Sequence, residues 1–206
     1  MGFYRKYVLP RAIHVVCSHG SISSQRERVV PLAEGEVLEI GIGSGLNLPF
    51  YDPGKIISVT GIDPSGELWN RRDQSTGALP FPVTFARAKA EELPFDDHIF
   101  DTVLSTFTLC TVEDPYRALS EMKRVLRPCG RLLFCEHGLA PDRHIRLFQN
   151  TLNPLWKPVG GGCNLNRNIP ALITASGFVF TDLYSHYSSN NMRIASYNYC
   201  GSAIEG

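Results

Sequence analysis

VLEIGIGSG, Val37–Gly45, is the stretch that decides the fold. Val37, Leu38 and Ile40 form an apolar run of the kind found in a strand buried on both faces. The run ends on Gly41, Gly43 and Gly45, which lack a Cβ. Such residues let the backbone turn sharply and let a ligand approach it. Outward from this stretch, extended and helical patterns alternate, as in a parallel sheet flanked by helices. Strands are expected at Glu36–Gly43, Ile56–Asp63, Pro82–Ala88, Phe100–Phe107 and Arg131–His137. Helices are expected at Arg5–Cys17, Ser21–Val30, Ser65–Gln74 and Asp114–Leu126. Pro128 and Gly130 stop the last of these. Further helices are expected at Arg143–Lys157, bent or ended near Pro154, and at Ile169–Phe178, ended by Gly177. Two closing strands, near Phe180–Tyr187 and Arg193–Cys200, form a hairpin around Ser188–Asn191. The pattern predicts one α/β domain over residues 1–206. It is Rossmann-like and doubly wound, with a mostly parallel seven-stranded sheet, helices on both faces and a C-terminal antiparallel hairpin. Residues 1–35 form N-terminal helices, 36–137 the ligand-binding core and 138–206 the acceptor side. The first helix, with Phe3, Tyr4 and Tyr7, either covers the site as a lid or packs on the sheet.

The chain has 206 residues, 43% hydrophobic, with 20 basic and 20 acidic side chains. The balanced charge gives no electrostatic reason to expect nucleic acid or an anionic membrane as partner. No apolar run reaches the length needed to span a bilayer, no basic amphipathic helix is evident, and the N-terminus makes a poor signal peptide. The six cysteines include no CxxC pair, and no His/Cys group has zinc-ligand spacing. A reducing, cytoplasmic location, no disulfide framework and no metal are expected.

Glu39 stands two residues before the first glycine, and Asp63 ends the second strand. In nucleotide-binding sheets an acid at the second position accepts the ribose hydroxyls. The G-x-G-x-x-G fingerprint fails, because Leu46 occupies the place of its third glycine, and no P-loop is present. A carboxylate at Glu39 would repel a pyrophosphate but attract an ammonium. The ligand is thus a nucleoside bearing a cationic amino-acid tail.

VLEIGIGSG, GIDPS, AEELPFDDHIFD and EMKRVLRPCG together resemble the successive motifs of class I methyltransferases of the type-11 family. The resemblance spans about Val37–His137 and implies S-adenosylmethionine as methyl donor and S-adenosylhomocysteine as product. It implies Glu39 near the methionine ammonium and Gly41 and Gly43 under the methionine and ribose, with Gly45 a further cofactor-binding residue of the same turn. Asp63 would hold the ribose, with Pro64 and Ser65 beside the adenine. Ala90 and Glu91 would lie at the other adenine face, and Thr106 and Phe107 near the methionine. Many relatives carry an acid where this chain has Lys89, so adenine recognition falls to the Ala90 backbone or to Glu91.

Beyond Phe107 the chain is similar to a narrower group, the methyltransferase-like small-thiol S-methyltransferases. FTLCTVEDP (107–115), FCEHGLAP (134–141) and LNPLWKPVGGGCNLNR (152–167) carry this likeness. It implies a small thiol such as hydrogen sulfide or methanethiol as acceptor, giving methanethiol or dimethyl sulfide. A quinone carbon, an amine or a lipid head group remain alternatives, as does a non-catalytic adenosylmethionine-binding module. His137, at the C-terminal end of a strand, is the candidate base or thiolate partner; otherwise its ring packs and bonds a carbonyl. Glu136 either orients it or anchors a loop. Arg167 would stabilise a thiolate or pair an acid, Trp156 would wall the pocket or join the core, and Cys163 would pack.

Overall fold

The computed structural model describes residues 4, 8–18, 20–70, 79–188 and 193–206. Seven strands form one sheet: β1 Gly35–Ile40, β2 Ile56–Asp63, β3 Val83–Arg87, β4 Phe100–Thr106, β5 Leu126–His137, β6 Phe178–Tyr187 and β7 Tyr197–Glu205. Their order is β3-β2-β1-β4-β5-β7-β6. The first five are parallel, while β7 runs antiparallel to both β5 and β6. Among the described residues six helices accompany them: α1 Leu9–Cys17, α2 Gly20–Val29, α3 Gly66–Trp69, α4 Pro115–Val125, α5 Arg143–Val159 and α6 Ile169–Ala175.

Alternation along the strands builds two cores. Leu38, Ile40, Val103, Leu132 and Phe134 face α4 and α6, meeting Leu119, Met122 and Ile173. Val37, Leu104, Leu133 and Cys135 face the other way, onto Val29 and Val30 at the end of α2. Both faces of the central strands are therefore dry, as a doubly wound parallel sheet requires.

Several boundaries depart from expectation. Strand β5 begins at Leu126, not Arg131, so RPCG is absorbed into the strand as a bulge between the pairs Phe100↔Leu126 and Thr102↔Arg131. Cys129 takes φ 67 there. Asp101 anchors the irregularity by accepting from Arg127 Nη1 at 2.5 Å and from the Glu36 amide at 2.8 Å. Helix α5 runs unbroken through Pro154 and Pro158. Side chains tie it to its surroundings: Gln149 bonds Ala140, Gly138 and Ile194, and Asn153 accepts from the Leu165 amide. The last strand starts at Tyr197, because Arg193–Ala195 forms a 3-10 turn that closes the hairpin. Helix α3 ends at Trp69; the expected continuation to Gln74 lies outside the described residues, as do Phe3 and Tyr7 of the expected lid.

Continuity of α5 overturns another expectation. Leu147, Phe148, Leu155 and Val159 are exposed on a helix that also carries Arg143, Arg146 and Lys157. That is a basic amphipathic helix, hidden in the sequence by its two prolines. Among the described residues no helix is long and apolar enough to cross a membrane.

Candidate active site

The strand order reverses between β1 and β4, and ligands of open α/β sheets bind in the crevice outside the carboxyl ends of strands at such a point. A cavity of about 400 Å³ opens there. Its lining includes Glu39, Gly41 and Gly43 after β1, Asp63, Pro64 and Ser65 after β2, Ala90 and Glu91, and Thr106 and Phe107 after β4. Leu9, His14 and Cys17 of α1 form another wall. Gly45 does not line it. Its φ of 75° completes the turn, and a Cβ there would meet Leu48 at 2.8 Å.

Glu39 is 1% exposed. Its Oε1 accepts from Asn47 Nδ2 at 2.9 Å and its Oε2 from the Tyr51 hydroxyl at 2.7 Å. Burial pushes this carboxyl up to about 7, against the pull of Tyr51, Asn47 and the Arg26 charge. Arg26, itself 4% exposed, donates from Nε to Asn47 Oδ1 at 2.9 Å, and its guanidinium lies 5.5 Å from the centre of the Phe107 ring. Both Arg26 and Asn47 line the cavity. Sequence reasoning missed them. Only burial marks Arg26 as special, and α2 shows no pattern from which that burial could be read.

Asp63 accepts from the Ser65 amide at 2.8 Å, and burial raises its carboxyl above the usual range. The Ser65 hydroxyl caps α3 by accepting from Glu67 N at 3.3 Å. Glu91 Oε1 accepts from the amides of Glu113 at 2.8 Å and Asp114 at 3.3 Å, while Lys89 pairs with Glu113 at 3.5 Å. Glu91 thus anchors the loop before α4. Phe107 holds φ 54, a strained value for a bulky residue. Its amide is fixed on Cys135 O at 2.9 Å.

The residues fit a nucleoside with an ammonium tail. Glu39 is a buried acid whose charge is only partly compensated. A Cβ on Gly43 would meet nothing nearer than Leu68 at 3.8 Å, so that glycine leaves open space for a ligand.

The three expected catalytic side chains do not line the cavity. Arg167 donates to the carbonyls of Leu109 and Val112, the latter at 2.6 Å, and so clamps the loop after β4. Trp156 is 39% exposed and lies over Gly160. His137 directs Nε2 at Cys163 Sγ, 3.1 Å away, not at the cavity. Glu136 accepts from Ser105 Oγ and from the amides of Thr108 and Leu109 at 2.8–3.0 Å. It is the anchor of that loop. Contrary to the absence of zinc-ligand spacing, the fold gathers Cys110, His137 and Cys163, whose ligand atoms all lie within 4.8 Å of one another.

A methyltransferase-domain family profile matches residues 38–134. The thiol S-methyltransferase TMT1B of Rattus norvegicus is 35% identical over 136 residues, which cover 65% of this chain and 56% of the rat protein. The chain thus spans little more than half that relative's length. The phosphatidylethanolamine N-methyltransferase of Cereibacter sphaeroides is 37% identical over 148 residues, covering 66% of this chain and 72% of that one. Among solved structures, the complex of a Haloferax volcanii methyltransferase with its activator contains a chain that matches with a TM-score of 0.72 at 17% identity, covering 98% of this chain and 96% of the other.

Proposed function

The chain belongs to the S-adenosylmethionine-dependent methyltransferases, and we propose that it moves the methyl group of that donor onto a small thiol. Bound S-adenosylmethionine supplies an electrophilic methyl on a sulfonium. In this reading Glu39 holds the donor's ammonium, Arg26 its carboxylate, Asp63 its ribose and the Ala90 backbone its adenine. Leu9, Phe107 and Thr111 surround the methyl and keep water out. Exclusion of water favours the reaction, because thiolate and sulfonium neutralise each other as the new bond forms. Alignment supplies the remainder.

One observation carries the choice of acceptor. The carboxylates lining the cavity are Glu39, Asp63, Glu91 and Glu113. The first three are bonded as described, and Glu113 faces Lys89. Among the described residues no buried carboxylate is left to receive the proton of an ammonium acceptor, and the one imidazole of the lining, His14, is turned onto Ser44 Oγ at 2.8 Å. A thiol with a pKa of about 8.5 gives its proton up far more readily. Likeness to thiol methyltransferases points the same way. The second reading, a lipid head-group amine, is favoured by the exposed basic and apolar face of α5. The test is release of S-adenosylhomocysteine with sulfide, methanethiol, larger thiols, phosphatidylethanolamine vesicles, quinols and phenols. Turnover with thiols and none with the vesicles is expected. Turnover confined to the lipid amine would replace the first reading by the second.

A further inference from the structure

We propose that Cys110, His137 and Cys163 form a binding site for a single zinc ion, directly behind the Phe107–Thr111 wall of the cavity and with its fourth position left to the acceptor. The three side chains come from different elements. Cys110 sits in the loop after β4, His137 ends β5, and Cys163 follows α5. Their donor atoms already converge within 4.8 Å, with His137 Nε2 at 3.1 Å from Cys163 Sγ. Zinc bonds of about 2.3 Å to sulfur and about 2.0 Å to nitrogen place tetrahedral ligand atoms roughly 3.6–3.8 Å apart. Modest side-chain rotations reach that from the observed spacing.

The backbone around the cluster is held as a preorganised site demands. The Asn164 amide donates to Cys110 O at 2.8 Å and its side chain to the same oxygen at 3.0 Å, locking the two cysteine loops together. Arg167 clamps the carbonyls of Leu109 and Val112, on either side of Cys110. Glu136 accepts from Leu109 and Cys110 amides, at 3.0 and 3.4 Å, directly before His137 in the chain. Residues that sequence reasoning assigned to catalysis thus become the scaffold of one soft-ligand cluster. Two thiolates and a neutral imidazole balance the charge of a divalent ion, and two sulfurs with a nitrogen are the donor set zinc prefers.

Three protein ligands leave one position free, the pattern of a reactive zinc site and not of a closed structural one. Cys110 Sγ lies 3.4 Å from Thr111 Oγ1 and 3.5 Å from Phe107 O, and both these residues line the cavity. The cluster therefore backs onto the cavity wall. The next step rests on the thiol reading above. The acceptor thiol binds the open position through sulfur and loses its proton to solvent. Its sulfur lone pair forms the bond to the methyl carbon while the sulfonium–methyl bond breaks, its electron pair staying on the departing sulfur. No electron is gained or lost overall. Zinc keeps the acceptor as thiolate at neutral pH, the form that attacks.

The test begins with binding alone. The chain is prepared reduced, stripped with chelator and titrated with zinc or cobalt(II). One equivalent per chain is expected, with the thiolate charge-transfer and intense visible bands of tetrahedral cobalt. Cys110→Ser and Cys163→Ser should each lower affinity at least tenfold, whereas Cys129→Ser, at an exposed cysteine elsewhere, should bind as the parent does. His137→Ala should retain thiolate bands of altered shape. Uptake no greater than that of the Cys110→Ser/Cys163→Ser double variant would overturn the site, and circular dichroism of each variant excludes unfolding as the cause. Activity separates the two proposals. Stoichiometric metal with no thiol turnover would sink the thiol reading and leave the site. Full thiol turnover by the stripped chain would sink the assignment of zinc to thiol activation.

Discussion

The Tyr51 hydroxyl donates to Glu39 Oε2 across 2.7 Å, both groups being buried, with Glu39 at the cavity wall and Tyr51 behind it. The bond helps an acid remain where water does not reach it, yet desolvation still wins and the carboxyl rises from 4.5 to about 7. The same acid raises the tyrosine in turn: burial first, then the Glu39 charge, lift the hydroxyl well above its usual range.

The first prediction follows by linkage. Between pH 4.5 and about 7 the folded, ligand-free protein holds the Glu39 proton more tightly than the unfolded chain does. Its contribution to stability is therefore present below pH 4.5 and is lost as pH rises through 7, a total of about 3 kcal/mol. An ammonium ligand reverses the trend, since it binds the ionised acid. Thermal stabilisation by S-adenosylhomocysteine should grow as pH rises through 7. Glu39→Gln should flatten both slopes, melt higher than the parent at about pH 8 without ligand, and gain little from ligand. Melting curves across that range check this; a ligand shift independent of pH would refute it.

A second prediction concerns Asp63. Its carboxylate faces the cavity with one oxygen on the Ser65 amide. Charged hydrogen bonds to ribose hydroxyls are worth about 1.5–3 kcal/mol each. Asp63→Ala should weaken S-adenosylmethionine binding by roughly 10–100-fold or more, measured by calorimetry. NADH should bind neither form.

Gly41 offers a third. Its φ is 71°, and a Cβ built on it would stand 2.3 Å from Thr108 Oγ1, whose hydroxyl donates to Ile40 O at 3.1 Å. Backbone strain and displacement of that hydroxyl act together in Gly41→Ala. A loss of about 1–3 kcal/mol in denaturant unfolding is expected, together with weaker cofactor binding. Gly43→Ala carries the backbone strain of its φ of 53° without the clash, since its Cβ meets nothing nearer than Leu68 at 3.8 Å, so it should lose less stability than Gly41→Ala and should lose affinity all the same.

These contrasts show where the sequence was legible and where it was not. The turn after β1, the acid ending β2 and the order of the parallel strands are local patterns, so Glu39, Gly43 and Asp63 could be placed from spacing alone. Gly45 looked equivalent to its neighbours because a glycine's role depends on which side of the turn its missing Cβ faces. The catalytic layer was less legible for a different reason. His137 and Cys163 are 26 residues apart, and no short-range spacing rule joins them. Arg167 looked like a pocket cation but is bonded to the carbonyls of Leu109 and Val112. RPCG read as a helix stop, which it is, but Asp101 lets the same residues begin the next strand as a bulge.

The last prediction turns on Arg26, which no motif marked. Its Nη1 donates to Cys17 O at 2.6 Å and its Nε to Asn47, so the guanidinium links α1, α2 and the turn after β1. A buried cation beside Glu39 is the natural partner for the carboxylate of an amino-acid tail whose ammonium Glu39 holds. Both charges of the donor's tail would then be matched, and a ligand without the tail would feel neither. Arg26→Leu should weaken S-adenosylhomocysteine about 10–100-fold, the range of a lost charged hydrogen bond, and Arg26→Lys should recover part of it. Binding of 5′-methylthioadenosine, which keeps the nucleoside and drops the amino-acid tail, should change little in either variant. Calorimetry with the two ligands makes the comparison internal to each protein. If Arg26→Leu weakens both equally, the residue acts through the packing of α1 and α2 over the cavity and not through the carboxylate.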